Sequence, residues 1–315
     1  MQKQLDTFLT GSFPPMDYSS SADVTASIRN AVRRQIEAGL DVLSDGQVRS
    51  DIVGIFARRV GLEGDGLPYR VRRKIGSLKE SVTLRDLEIA ATEAEGHPLK
   101  AHITGPTVVA ESCADDDDTP NVYRGIGGFR QLTLDLARAL AGEARFIAQK
   151  SKELNIRYLQ IDEPSLVFGA DLQLAGEAIG IIVKVWREAG GGEVILHVCG
   201  DIRDILPDLI AMPVDILNVE NVHLREADEK VLKELRESNK KLALGVVSVN
   251  TEKHPSSQGL AQDLLYAVDR YGTDHICAVT PNCGLRLSSA DLAMLRMKRL
   301  TESVSILQER AGRLA

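Results

Sequence analysis

Cysteine, aromatic side chains and long apolar runs are all scarce in this chain, and positive charge is outweighed by negative. Four cysteines in 315 residues, at positions 113, 199, 277 and 283, are too few and too scattered for a disulfide scaffold, so a reducing, cytoplasmic setting is expected. The 38 basic side chains face 45 acidic ones, for a formal charge of -7. That balance argues against a nucleic-acid partner, whose binding face needs clustered cations. No run approaches the roughly 18 apolar residues of a membrane span. The opening MQKQLDTFLTGSFPP also lacks the charged and apolar regions of a signal peptide, so no membrane association is expected. Hydrophobic residues make up 43% of the chain, enough for a large core. No linker rich in Pro, Gly and Ser divides it, and residues 1–315 are read as one barrel domain.

One grammar repeats: a short β-rich segment ending in small or polar residues, then a longer segment with helical periodicity. Strands are predicted at 8–12, 42–45, 99–104, 158–161, 194–198, 216–219, 242–247 and 275–278. Helices are predicted at 23–38, 51–60, 84–95, 129–154, 172–188, 202–210, 226–238, 259–271 and 290–310. Alternation of this kind implies parallel strands with right-handed crossovers. Eight strands fit an α/β fold of the closed (β/α)8 TIM-barrel type, with an insertion between strands 2 and 3. A doubly wound open sheet is the rival. The barrel is preferred because the polar residues of interest follow many different strands instead of gathering at one switch point. Ser19, Ser20 and Ser21 offer caps to the first long helix, and Gly39 a left-handed stop after it. The last helix should pack through Leu292, Leu295, Leu300 and Val304.

The soft metal ligands sit at predicted strand ends. In VILHVCGD, His197 and Cys199 are two residues apart, so an extended chain aims imidazole and thiol to one side. ILNVENVH supplies Glu220 and, farther out, His223, and TPNCGLR supplies Cys283. Separations of 2, 21 and 63 residues suit no zinc finger, but strands 5, 6 and 8 of a barrel present their ends to one mouth. Two cysteines and a histidine favour Zn2+, with a carboxylate able to complete the tetrahedron. The plain alternative is a buried histidine and small cysteines filling a core. With both thiolates and a bound Glu220 the site carries a net -1, suited to a reactive thiolate, and an incoming substrate sulfur could displace the carboxylate.

YLQIDEPSL ends a strand with Asp162 and Glu163, of which an extended chain can aim only one at a ligand. Asp162 is well placed there to hold a substrate ammonium. Gly11 and Ser12 in LTGSFPP offer close backbone approach, amides and a hydroxyl to a carboxylate.

Taken together, LTGSFPP, VLSDGQVRSDIV, HITGPT, LQIDEPS, LHVCGD, NVEN and TPNCGLR resemble the catalytic barrel of cobalamin-independent methionine synthase, over nearly the whole chain. The resemblance implies Zn2+ held by His197, Cys199, Glu220 and Cys283, with L-homocysteine sulfur replacing or joining the carboxylate. It implies recognition of the amino-acid part by Gly11, Ser12 and Asp162, and gives Asp162 and Glu220 the catalytic roles. Three departures accompany it. Gln47 stands where an acidic homocysteine contact is expected. The tryptophan that stacks on folate is missing from TGPTVVAESCAD, the sole Trp186 lying elsewhere. Asn250 replaces a catalytic histidine, with His254 four residues on an unassured substitute.

These departures, and the presence of one barrel where full-length members have two, point to the short members of the family. The expectation is therefore methyl transfer from methylcobalamin or a related methylcorrinoid, carried by a corrinoid protein docked at the barrel mouth, and not from methyltetrahydrofolate. The alternative is zinc-dependent alkylation of another thiol, such as coenzyme M with an epoxide; a barrel with structural zinc and no transfer activity ranks below both. The acidic run at 115–118 is expected to be a solvated loop, and the basic segment 70–76 a protruding hairpin.

Overall fold

The computed structural model describes residues 5–14, 21–249 and 255–312. Its strands are β1 (Asp6–Thr7), β2 (Tyr69–Arg70), β3 (Leu99–Thr104), β4 (Cys113–Ala114), β5 (Ile156–Asp162), β6 (Glu193–His197), β7 (Ile216–Glu220), β8 (Lys241–Val247) and β9 (Ile276–Pro281). Seven of these pair in parallel in the order β1-β9-β8-β7-β6-β5-β3. Helices including Gly128–Lys150, Leu172–Glu188, Ser257–Tyr271 and Ala290–Gly312 connect the strands and pack against the sheet or one another. Strands so enclosed read as nearly unbroken apolar runs, and in β5 only Arg157 is exposed.

The closed eight-stranded (β/α)8 TIM barrel expected from the strand count is corrected to an open, incomplete barrel of seven strands. The missing member is the strand predicted at 42–45, where Leu43 alone forms a bridge, to Leu99. Gln35 is the local cause. Its side-chain amide accepts from Ser44 N at 3.0 Å and donates to Ser44 O at 2.9 Å, taking the two backbone groups that would have extended a ladder. Gly46 and Gln47 then adopt positive φ, 76° and 45°, and turn the chain out of the sheet. The first strand is shortened in a related way: β1 stops at Thr7, and the carbonyls of Leu9 and Thr10 accept from the Lys100 ammonium.

Side-chain polarity rises along the strands. Phe8, Tyr158, Ile195, Ile216, Ala243 and Ala278 form a separate buried apolar cluster. Two residues beyond Tyr158 in β5, Gln160 pairs with Ile195, and two residues farther along both strands Asp162 pairs with His197. His197 in turn pairs with Asn218 of β7. The two-residue period of a strand thus carries each chain from an apolar floor to a polar rim at the carboxyl ends, where the sites of α/β barrels lie.

Gly39 follows the helix Ser21–Glu37 with φ 78°, the left-handed stop; Ser19 and Ser20 lie outside the described residues. The last helix buries Leu300 and Val304 as expected, together with Ala293, Met297 and Leu307, whereas Leu292 is half-buried and Leu295 exposed. Segment 70–76 is no hairpin: β2 pairs in parallel with β4, with an isolated antiparallel bridge from Arg70 to Glu63. The acidic run is its partner, Arg70 reaching Asp116 at 3.3 Å and Arg72 reaching Asp118 at 2.9 Å. No helix among the described residues is long and apolar enough to cross a membrane.

At the end of β3, Gly105 caps the helix Pro106–Glu111, and the carboxylate of buried Glu163 accepts from Thr107 N and Val108 N, each at 2.9 Å. Burial, outweighing these bonds, pushes the Glu163 carboxyl up to about 7. A Cβ on Gly105 would stand 2.0 Å from Glu163 Cδ. Gly105→Ala is therefore expected to cost about 3 kcal/mol by overpacking. Urea unfolding checks this, and an unchanged midpoint would contradict the packing.

Candidate metal and amino-acid site

His197 ends β6, and Cys199 follows on the short segment that Gly200 turns with φ 93°. Cys283 lies just beyond β9. The ligand atoms of His197, Cys199 and Cys283 all lie within 4.8 Å of one another. His197 Nδ1 sits 3.2 Å from Asn218 O, which as an acceptor would fix the tautomer and leave Nε2 free for a ligand. Burial presses the His197 imidazole down, but the hydrogen bond with Cys283 and nearby negative charge outweigh it, and the net shift is upward. The two thiols move apart: Cys199 is raised by its hydrogen bond with Cys283, and that same bond lowers Cys283, to about 4. Two sulfurs this close cannot both ionise at neutral pH without a compensating cation. A divalent ion that prefers sulfur and nitrogen resolves that conflict, so the donor set fits zinc.

Glu220, expected as the fourth ligand, stands beside this trio and outside it. Its Oε1 accepts from Gly200 N and its Oε2 from Asn282 Nδ2, both at 2.7 Å. Gly200 follows Cys199 and Asn282 precedes Cys283, so the carboxylate staples together the two loops that carry the thiols. Asn282 is held in turn by Val249 N, which donates to its Oδ1 at 2.9 Å. His223 belongs to the helix Asn221–Arg225 and points to Asp201, 3.8 Å away. The other two cysteines are structural: Cys113 donates to Val109 O and Cys277 to Leu242 O, each at 3.3 Å.

The residues expected to read an amino acid lie against the same cluster. Leu285 N donates to Ser12 O at 2.7 Å, and a Cβ on Gly284 would meet Ser12 Oγ at 2.9 Å. Only glycine next to Cys283 allows the Gly11–Ser12 segment to come so near. A Cβ on Gly11 would lie 3.4 Å from Gln47 Oε1, so Gln47 borders this segment too. Asp162 is buried, accepts from Gln160 Nε2 at 2.6 Å, and stands 3.4 Å from Gln47 Nε2. Its partner Glu163 faces away into the helix cap, as the alternation of an extended chain requires. Burial alone would raise the Asp162 carboxyl; the neighbouring His102 imidazole, then charge near His197 and the Gln160 amide, hold it at about 2. His102 Nδ1 is 3.5 Å from Asp162 Oδ2, and burial keeps the imidazole neutral, at about 4. Gln47 Oε1 has no hydrogen-bond partner among the described residues. Asn250 and His254 fall outside those residues.

Sequence reasoning missed Lys100, His102, Gln160 and Asn282. The first three had a signal, being polar residues inside runs otherwise buried on both faces. Trp186, remote in the sequence from the expected folate-stacking position, is buried in the helix Leu172–Glu188 and donates from Nε1 to Gly192 O at 2.8 Å.

Residues 3–305 match the family described as "Cobalamin-independent synthase, Catalytic domain". A methionine synthase of Methanothermobacter marburgensis is 31% identical over 287 residues, covering 89% of this chain and 88% of that protein. One from Methanothermobacter thermautotrophicus is 32% identical over 289 residues, covering 87% of each. Among solved structures, a B12-independent methionine synthase from Shewanella sp. W3-18-1 in complex with selenomethionine superposes with a TM-score of 0.78. It shares 20% identity and covers 98% of this chain and 99% of its own, so it speaks for the fold alone.

These matches overturn the methylcorrinoid donor, the methylcobalamin cofactor and the corrinoid-protein partner, since the family matched is the cobalamin-independent one. The reasons for expecting a corrinoid were absences. A missing tryptophan removes one stacking surface without creating a corrin site, and Asn250 lies where the structure describes nothing. Shortness discriminates no donor, because the archaeal methionine synthases match over most of their own length. The chain belongs to the family of the cobalamin-independent synthase catalytic domain.

Proposed function

We propose that the protein transfers a methyl group to the thiol of L-homocysteine, forming methionine without any corrinoid. One juxtaposition carries the reading: groups suited to an α-amino acid, Gly11, Ser12 and Asp162, adjoin a His/Cys/Cys cluster suited to its sulfur. In this reading Gly11 and Ser12 take the substrate carboxylate through amides and hydroxyl. Asp162, ionised throughout the neutral range, takes the ammonium, and the unpartnered Gln47 Oε1 offers a second acceptor. His197, Cys199 and Cys283 would hold zinc, with Glu220 positioned to join them. When bound, the ion supplies a Lewis acid at which a thiol loses its proton near neutral pH.

Between them the residues do three things. The Asn218 carbonyl orients the His197 ring. Glu220, bonded to Gly200 and Asn282, holds the two cysteine loops in register. Asp162 and Ser12 fix the amino-acid end, so that the sulfur of a four-carbon amino acid is directed at the methyl donor rather than left to diffuse. The relatives named methionine synthase support the product. The test is methionine formation by zinc-replete protein from homocysteine and methyltetrahydrofolate in buffer free of corrinoids. Methionine that depends on both substrates is the expected result; its complete absence at saturating substrates would contradict the reading.

A further inference from the structure

The interior of the sheet contains a cation that the proposed reaction does not use. Lys100 projects from β3 and is 1% exposed. Its Nζ donates to Leu9 O at 2.5 Å, to Thr10 O at 3.1 Å and to Gln160 Oε1 at 2.5 Å. It also lies 4.5 Å from the centre of the Phe8 ring. An ammonium has three protons, and these three oxygens take them all. Among the described residues no carboxylate forms an ion pair with it. Burial presses the Lys100 ammonium down to about 7 against the opposing charges of Asp162 and Asp45, so keeping it here is costly, and an apolar side chain would fill the same space more cheaply. Simple packing therefore does not account for a lysine here.

Its contacts do account for it. By occupying Gln160 Oε1, the ammonium fixes which way that amide faces, because the flipped amide would set N–H groups against the cation. Gln160 Nε2 must then point to Thr10 O, at 2.5 Å, and to Asp162 Oδ1, at 2.6 Å. The Leu9 and Thr10 carbonyls held by the same ammonium immediately precede Gly11 and Ser12. One buried cation thus grips both arms of the amino-acid site.

We propose that Lys100 is a positioning residue that sets the spacing between Gly11–Ser12 and Asp162, and so selects a thiol bearing both an α-carboxylate and an α-ammonium. The inference rests on the reading of the site as a homocysteine site. It assigns the preference for an amino-acid thiol to a residue that does not itself touch the substrate.

The test compares the binding of L-homocysteine with that of 4-mercaptobutyrate, which lacks only the α-amino group, to zinc-loaded parent, Lys100→Met and Gln160→Glu proteins. Zinc content is measured in each. Gln160→Glu keeps an acceptor for Lys100 but sets a carboxylate, in place of a donor, against Asp162. In both variants the preference for homocysteine should shrink by about tenfold, the size of one charged hydrogen bond, with zinc content unchanged. If Lys100→Met does not fold, Lys100→Gln, which keeps a polar donor but removes the charge and the third proton, takes its place. An undiminished preference, or a loss that merely follows a loss of zinc, would overturn the role of Lys100. A parent protein that does not distinguish the two thiols would overturn the homocysteine reading itself, and the inference with it.

Discussion

Cys283→Ser is expected to strip the protein of zinc and to lower homocysteine methylation by a factor of about a hundred or more, exceeding the usual loss from an outer-shell change. Cys283 takes part in both sides of the cluster. It is hydrogen-bonded to Cys199 and to His197, and it is the thiol that those contacts lower to about 4. It is thus the group readiest to be a thiolate and the one that most attracts a cation. A serine hydroxyl is smaller, harder and neutral at pH 7, so the three-donor set becomes two. The backbone has little reason to move, because Asn282 remains bonded to Glu220 and Leu285 N to Ser12 O. Metal analysis beside circular dichroism and turnover checks the prediction. A folded variant with full zinc and near-parental activity would remove Cys283 from the site.

Asp162→Asn should give the complementary result: full zinc with impaired recognition of homocysteine. Asp162 faces His197 across the β5–β6 register but is outside the His/Cys/Cys cluster. Its carboxylate is held ionised in a buried position by the Gln160 and Gln47 amides and the neighbouring His102 ring, which is the arrangement an incoming ammonium needs. An amide keeps the shape and removes the charge. The cost in transition-state binding should be about 2–4 kcal/mol, or roughly 30-fold and upward in kcat/KM. The loss should fall mainly on KM, because the sulfur-binding groups are untouched. Equal kcat/KM in parent and variant would exclude Asp162 from substrate contact, and a loss of zinc in proportion to activity would make it structural.

The two substitutions also divide what the sequence could convey from what it could not. His197, Cys199 and Cys283 were legible because soft ligands at strand ends are few and a parallel α/β sheet gathers such ends at one rim. Asp162 was legible against Glu163 only in part: alternation says that one faces inward, while the structure shows that Glu163 is taken by the Thr107 and Val108 amides. Barrel closure was not legible. An apolar stretch at 42–45 reads as a strand, but Gln35, nine residues earlier, removes the Ser44 backbone groups from pairing. The second role of Glu220, as a staple between Gly200 and Asn282, depends on contacts 20 and 62 residues away. The methyl donor is not legible either, because a missing folate-stacking tryptophan removes one surface and specifies no other donor.

If one site holds both a metal and the homocysteine sulfur, zinc-edge absorption spectra of the zinc-loaded protein must change when L-homocysteine is added. About two sulfur neighbours are expected before and three after, from Cys199 and Cys283 joined by the substrate. A zinc environment that homocysteine leaves unchanged at saturating concentration would contradict a shared site.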